Sequence, residues 1–468
     1  MNIELSGKRI LVLGLGDSGL SMTRWLHRHG AQVRVADSRK YPPHAEQLAR
    51  EMPLVALETG TFRSTSFNGI DVIAISPGVA LREPRVSEAL NAGVFVVGDV
   101  ELFAQALKSH AETKVIAITG SNGKSTVTSM VGAMSRSAGI NTVVAGNIGL
   151  PVLDALAQVE TALSHGKTAP DLFVLELSSF QLETTYSLDA SAATVLNLCQ
   201  DHLDRYDSMH EYAAAKARIF SGHGVQVVNR DDEISGRLAD PARTVLNFGL
   251  GEPGGDREWG MVVSGGEPWL AQGEMKLMPL GELPLAGSHN AANALAALAL
   301  CRACDMEYAP LLVALKKFTG LPHRMQKVAE IRGVAFYDDS KGTNVGATVA
   351  ALSGIEKKAV LVAGGDGKGQ DFSPLKSAIA AHARAVVLIG RDADKIAKAI
   401  AGCGIPLLRA ADMEDAVLLA FSKAQPGDAV LLSPACASFD MFRDYEHRAE
   451  VFSRAVQGLQ TQLKVGAN

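Results

Sequence analysis

Short apolar runs that end in glycine or polar loops alternate with helical runs along almost the whole chain. This alternation restricts the fold more than any other feature. Arg9 to Leu13 reads as a strand, Ser18 to His29 as a helix and Gln32 to Ala36 as the next strand. Val72 to Ile75 and Val94 to Val97 continue the series. A second series runs from a strand at Lys114 to Ile118 through a helix at Ser125 to Ser137. Its further strands are Thr142 to Ala145, Asp171 to Glu176 and Ala193 to Leu196. A third follows Gly320-Leu321-Pro322, with strands Val334 to Tyr337, Ala359 to Val362, Ala385 to Ile389 and Ala429 to Leu432. Repeated βα units place parallel strands in a sheet with helices on both faces. The expected class is therefore α/β, in three domains at 1–101, 102–320 and 321–468, and 468 residues supply a core for each. The Gly- and Pro-rich stretch from Asn247 to Gly287 reads as β-hairpins attached to the middle domain, closed by an Ala-rich helix at 291–304.

Composition removes several classes of function. Lys plus Arg number 45 and Asp plus Glu 50, a net charge of −5, which does not suit nucleic acid or an anionic membrane. With 47% hydrophobic and 20% charged residues the chain is not disordered. Five cysteines are too few for a disulfide framework, and the CxxC of Cys301 and Cys304 lies on an Ala-rich helix, which favours core over zinc. No apolar run is long enough to span a membrane, and the charged start (Glu4, Lys8, Arg9) does not resemble a signal peptide. A cytoplasmic protein is expected.

The strongest motif is Thr119-Gly120-Ser121-Asn122-Gly123-Lys124-Ser125-Thr126, between a strand and a helix. Its glycines let backbone N–H groups face an anion, and the helix N-terminus adds its dipole. Lys124 reaches toward β- and γ-phosphates and Ser125 offers a hydroxyl to Mg²⁺. The usual first glycine of such a loop is replaced by Ile118. Glu176 ends an apolar strand, where a further Mg²⁺ ligand is expected. Asn197 to Asp204 ends another strand, and its His202 is either a metal ligand or structural. Gly14-Leu15-Gly16-Asp17-Ser18-Gly19 matches GxGxxG, with Asp37 ending the next strand. That pattern suits NAD or any nucleotide whose phosphates dock on the helix. In the last third, Asp338 to Asn344, Gly364 to Lys368 and Ser433 to Asp440 each follow a strand, so they converge on one sheet edge. Cys436 has no adjacent activating base and is not read as a nucleophile.

Taken together, the loop Thr119–Thr126, Gly146-Asn147-Ile148-Gly149, Glu176 to Leu182, Asp201-His202-Leu203-Asp204, His289-Asn290, Pro322-His323-Arg324, Asp339-Ser340-Lys341 and Gly364 to Lys368 resemble the Mur ligases, in order along the whole chain. The segments Leu177 to Leu182 and Ser433 to Ser438 look most like the branch that adds D-glutamate. The resemblance implies a Rossmann-like domain for a UDP-linked substrate, a central phosphate-loop ATPase-like domain with extra hairpins, and a Rossmann-like C-terminal domain for the amino acid. It implies ATP, UDP-N-acetylmuramoyl-L-alanine and glutamate as substrates, two Mg²⁺ sites, a monomer and an acyl-phosphate route to an amide. Carried over by position, Gly120, Ser121, Asn122, Gly123, Lys124, Ser125, Thr126, Asn290, Arg324 and Asp339 would hold ATP. Gly14, Leu15, Gly16, Asp17, Ser18, Asp37, Ser38, Arg39, Asn147 and His202 would hold the UDP substrate. Lys341, Thr343, Lys368, Ser438 and Tyr445 match glutamate-side positions, Tyr445 replacing a Phe of some relatives. Ser125 and Glu176 would bind one Mg²⁺. His202 and Lys216, the latter as a carbamate, would bind the other. Lys124, Glu176, His202 and Lys216 form the implied catalytic set. A folylpolyglutamate synthase would share the loop without needing a UDP domain, and an NAD-dependent dehydrogenase would leave the phosphate loop unexplained.

Overall fold

The computed structural model describes residues 4–465 apart from 111, 286 and 356. The first sheet contains β1 (Arg9–Leu13), β2 (Gln32–Asp37), β3 (Ala56–Thr59), β4 (Val72–Ile75) and β5 (Phe95–Val97). Its order is β3-β2-β1-β4-β5, all parallel. The order reverses beside β1, so the Gly14–Gly19 turn opens into the crevice where such sheets bind ligands.

The second sheet contains β6 (Lys114–Thr119), β7 (Thr142–Gly146), β8 (Leu172–Glu176), β9 (Ala192–Val195), β10 (Val225–Asn229), β11 (Val245–Phe248), β12 (Glu258–Ser264), β13 (Glu267–Gln272) and β14 (Met275–Pro279). These nine strands run in the order β14-β13-β12-β11-β10-β9-β6-β8-β7. The expected hairpins are present as an antiparallel meander of β12, β13 and β14. They extend the same sheet rather than hang from it, because β12 pairs parallel with β11. Trp259 anchors the meander: it is buried, and its Nε1 donates to Tyr308 Oη at 3.0 Å. The helices Lys124–Ser137 and Ser288–Ala303 cover one face, with Met130, Val131, Leu295 and Leu298 in one core. Cys301 and Cys304 belong to that core, and burial pushes the Cys304 thiol up to about 11.

The third sheet contains β15 (Gln326–Ile331), β16 (Val334–Asp338), β17 (Ala359–Gly364), β18 (Ala383–Ile389), β19 (Leu407–Arg409) and β20 (Ala429–Leu432), in the order β15-β16-β20-β17-β18-β19. The three polar loops read from the sequence follow β16, β20 and β17, which are adjacent and parallel. They meet through backbone bonds, Asp366 N to Ala437 O at 3.0 Å and Ala435 N to Gly342 O at 3.0 Å.

The first two sheets share a core. Trp25 and Leu20 of the first pack in one cluster with Phe103, Leu153 and Phe173. The helix Asp99–Leu107 joins the two sheets and runs through residue 101. No helix among the described residues is long and apolar enough to cross a membrane.

Gly19 is required by contact. A Cβ there would lie 1.9 Å from Gly14 O and 2.8 Å from Ser76 Oγ. Gly19→Ala is expected to cost roughly 1–3 kcal/mol through overpacking and to splay the turn. A lowered thermal midpoint in calorimetry checks this, and an unchanged midpoint contradicts it.

Candidate active site

The phosphate loop is built where β6 leaves the middle of its sheet. Ile118, at the position of the usual first glycine, is still a buried strand residue paired with Glu176. The curl starts one turn later, and Gly123 sits at φ 83°, a conformation that glycine adopts freely. Asn197, just past β9, splints the loop. Its backbone O accepts from Ser121 N at 2.9 Å, its Oδ1 from Asn122 N at 2.9 Å, and its Nδ2 donates to Asn122 O at 3.1 Å. Lys124 folds over the loop and donates to Gly120 O at 2.9 Å and Ser121 O at 3.0 Å. Burial pushes its amine below the usual lysine range, against the pull of Glu176.

Parallel register brings the other groups to this loop. Gly146 pairs with Glu176, which places Asn147 beside it. Asn147 Nδ2 donates to Glu176 Oε1 at 2.8 Å. Glu176 Oε2 is buried and has no hydrogen-bond partner. Ser125 Oγ accepts from Arg324 Nη2 at 2.9 Å. A buried carboxylate oxygen with an unused lone pair and a hydroxyl at the helix start are the hard oxygen donors that Mg²⁺ prefers, so these residues fit the ion. Among the described residues no group of three or more His, Cys, Asp or Glu is arranged to hold a metal.

Lys216 lies on the helix Met209–Ala217 and is buried. Its Nζ donates to Gly120 O at 3.0 Å and Thr119 Oγ1 at 3.2 Å. Burial first, and Lys124 second, push its amine far below the usual range, which favours the uncharged form. His202 adopts φ 55° and its ring lies edge-on to Phe180 at 4.7 Å. Burial lowers its imidazole to about 4, with Asp201 opposing and Lys368, Lys124 and Lys216 reinforcing.

The third domain closes over the loop. Lys368 Nζ pairs with Asp201 Oδ1 at 2.5 Å, so this glutamate-side candidate is engaged by the middle domain. Asn344 Nδ2 donates to Asn122 Oδ1 at 3.0 Å and Asp201 Oδ2 at 3.2 Å. Asp339 accepts from Ser433 Oγ at 2.7 Å, and burial pushes its carboxyl up to about 7. Lys341 lies over the Tyr445 ring at 3.6 Å, and burial, aided by Arg324, lowers its amine to about 8. Thr343 N donates to Lys341 O at 2.9 Å, and the buried Ser438 accepts from Phe442 N at 2.8 Å through its carbonyl. A cleft of about 330 Å³ runs between the domains, lined by Gly123, Thr126, Asn290, Asn293, Arg324 and Asp339.

In the first domain Asp37 is buried and already occupied. It accepts from Leu15 N at 2.6 Å and from Arg39 Nη2 at 2.6 Å and Nε at 2.8 Å. Burial raises its carboxyl, but these donors hold it below the usual carboxylate range. Asp37 therefore shapes the Leu15 turn, which weakens the NAD reading. Ser38 is exposed, and Asp17 pairs with His44 at 2.7 Å. A cleft of about 520 Å³ lined by Asp17, Ser18, Pro77, Asn147 and Gln181 runs from this turn to the Glu176 region. The sequence reading had assigned no role to Asn197, Asn293, Asn344 or Asp201. Only the Asn290/Asn293 spacing, one helical turn apart, signalled a shared face.

A phosphate loop with buried oxygen donors, facing a set of cationic loops across a cleft, defines an enzyme that acts on a nucleoside triphosphate. Residues 118–301 match the Mur ligase middle domain, 8–98 the Mur ligase MurD-like N-terminal domain, and 323–436 the Mur ligase glutamate ligase domain. The UDP-N-acetylmuramoylalanine–D-glutamate ligase of Nitrosomonas eutropha is 58% identical over 463 residues, 98% of each chain. That of Thiobacillus denitrificans is 58% identical over 472 residues, again 98% of each. The solved UDP-N-acetylmuramate-alanine ligase MurC of Thermotoga maritima superposes with a TM-score of 0.60 at 19% identity, over 96% of this chain and 99% of that one. MurF of Acinetobacter baumannii gives 0.60 at 18%, over 95% and 93%. The two structures share the fold. The chain belongs to the Mur ligase family.

The His202 environment gives a pH prediction. Its folded pKa of about 4 lies below the ordinary 6.5, so the unfolded chain takes up the proton first as pH falls. The contribution of neutral His202 to stability is full above pH 6.5 and is lost as pH falls toward 4. An NMR titration of the apo-protein is expected to find this imidazole neutral at pH 6, and a midpoint above 6 contradicts the packing.

Proposed function

We propose that this chain is the ATP-dependent ligase that joins D-glutamate to UDP-N-acetylmuramoyl-L-alanine in peptidoglycan precursor synthesis. The observation that carries this reading is full-length identity of 58% to relatives bearing that activity in their names. The cleft from Asp17 and Ser18 to Asn147, which bonds Glu176, supports it, since a UDP-linked acid lying there would present its carboxylate toward the phosphate loop. The choice of the D-enantiomer rests on those names and not on residue types. We place the domain divisions near residues 101 and 320, and read the enzyme as a cytoplasmic monomer.

In the reaction, a carboxylate oxygen of the substrate attacks the γ-phosphorus of ATP, and ADP leaves. The neutral glutamate amine then attacks the acyl carbon, phosphate leaves, and the nitrogen gives up a proton to the departing phosphate as the amide forms. The backbone N–H groups of Gly123 and Lys124 and the Lys124 ammonium hold the phosphates in line. Ser125 and Glu176 would hold Mg²⁺, which would supply charge neutralisation when bound. Arg324 reaches Ser125 from the third domain and completes the cationic wall only when the domains close. Asn147 orients Glu176 and faces the acid. Lys341, Thr343, Lys368, Ser438 and Tyr445 are assigned to glutamate, and Lys341 and Tyr445 line a cleft together with Ser125, Asn147 and Arg324. Lys368 would leave Asp201 or share it when the glutamate carboxylate arrives.

We assign Lys216 as a carbamate. Burial favours the uncharged amine, the form that adds CO₂ with loss of a proton, and the product is an anion that would join His202 in holding a second Mg²⁺.

Phosphate release from ATP is expected only when UDP-N-acetylmuramoyl-L-alanine and D-glutamate are both present. Preference for L-glutamate, or release without the UDP substrate, contradicts the reading. Lys124→Ala is expected to lower turnover at least ~100-fold while remaining folded, as checked by circular dichroism. Lys216→Ala is expected to lose Mg²⁺-dependent turnover yet retain UDP-substrate binding, measured by calorimetry. Full activity of Lys216→Ala excludes the carbamate.

A further inference from the structure

Two guanidinium groups connect the first domain to the reacting segment: Arg82, half exposed, donates to Asp204 O at 2.6 Å and Asp207 Oδ1 at 3.0 Å, and Arg205 makes the link from the buried side. Arg205 follows Asp204 in the loop that carries His202, and its side chain is 13% exposed. Its Nη1 donates to Pro77 O at 3.2 Å and its Nη2 to Val79 O at 3.0 Å. Both carbonyls belong to the first domain, in the loop after β4. That loop is itself pinned to the Gly14–Gly19 turn, because Ser76 Oγ donates to Gly14 O at 2.9 Å. Pro77 lines the cleft assigned to the UDP substrate. On the other side, Arg205 Nη2 pairs with Glu183 Oε2 at 3.2 Å and the guanidinium lies over the Phe180 ring at 4.5 Å. Phe180 in turn packs edge-on against the His202 ring. The backbone repeats the link, since Arg205 N and Tyr206 N donate to His202 O at 2.9 and 3.0 Å.

We infer that Arg205 is a positioning residue that fixes the distance between the UDP cradle and the site where the substrate carboxylate reacts. The inference rests on the functional reading above. A substrate held at one end by its UDP is delivered to the phosphate loop only if the two domains keep one spacing. The planar fork satisfies two carbonyls of one domain while a carboxylate and an aromatic ring of the other hold it from behind. Binding energy from the remote UDP is thereby used in the chemical step. A lysine would keep the charge near Glu183 and Phe180 but cannot serve both carbonyls in one plane.

The test compares wild type, Arg205→Ala and Arg205→Lys with two acids, UDP-N-acetylmuramoyl-L-alanine and N-acetylmuramoyl-L-alanine without the UDP. Both variants are expected to lose at least tenfold in kcat/KM on the UDP substrate and less than threefold on the shortened one. The KM for ATP is expected to stay within threefold. Equal losses on both acids, a KM for ATP that rises in step, or full activity of Arg205→Lys overturns the inference. If Arg205→Ala does not fold, Arg205→Lys carries the comparison alone. If the shortened acid does not turn over, the split between kcat and the KM for ATP decides. A wild type that releases no phosphate with the UDP substrate overturns the functional reading instead.

Discussion

Parallel pairing is the constraint on which everything else depends. In a parallel sheet every strand delivers its C-terminal end to the same edge. The registers Ile118 to Glu176 and Gly146 to Glu176 place the phosphate loop, a carboxylate and Asn147 at one level of one edge. No side chain had to be recruited from a distance. The same rule acts again in the third sheet, where β16, β20 and β17 present their loops side by side. Two such edges facing one another leave a cleft whose walls are loop ends, and loop ends can vary without disturbing either core.

The charges in that cleft are out of balance with their surroundings. Lys124, Lys216, Lys341 and Arg324 are all pushed down by burial, and Asp339 is pushed up. Crowded cations in a poorly solvated space are unfavourable unless an anion joins them. A triphosphate and two carboxylate substrates are such anions. The cost of burying the cations in the free protein becomes a reserve of attraction for the bound state. The deprotonated tendency of Lys216 has a second consequence, since the amine that is costly to charge is the amine able to form a carbamate.

The backbone plan was legible in the sequence wherever a strand was an apolar run stopped by glycine or a polar loop. Val72–Ile75 and Ala429–Leu432 were read with their observed bounds. The phosphate loop was legible despite Ile118, because a strand residue at that position only delays the curl. Strands such as β10 were not read, since Val225–Asn229 carries Gln226 and follows a glycine-rich turn that masks its pattern. In β13, Pro268 lies near the start of the strand in an antiparallel meander, where the missing N–H is tolerated. The links that assemble the site were the least legible. Nothing in the spacing joins Asn197 to Asn122, or Asn344 to Asp201. Each is an amide whose partner is set by the sheet edges and not by neighbours in the chain.

Those amides also hold the third domain against the phosphate loop in one geometry. Asn344 bonds at once to Asn122 of the phosphate loop and to Asp201. Amide contacts of this kind exchange readily for water, so they are modest in net energy and strict in geometry. Lys368 adds charge on the same carboxylate. The third domain therefore reads the conformation of the phosphate loop directly, through Asn122. A loop distorted by the wrong occupant would misplace that amide. The same domain holds Arg324 on Ser125 at 2.9 Å. The guanidinium beside the phosphate loop and the amide that touches Asn122 are thus carried by one domain.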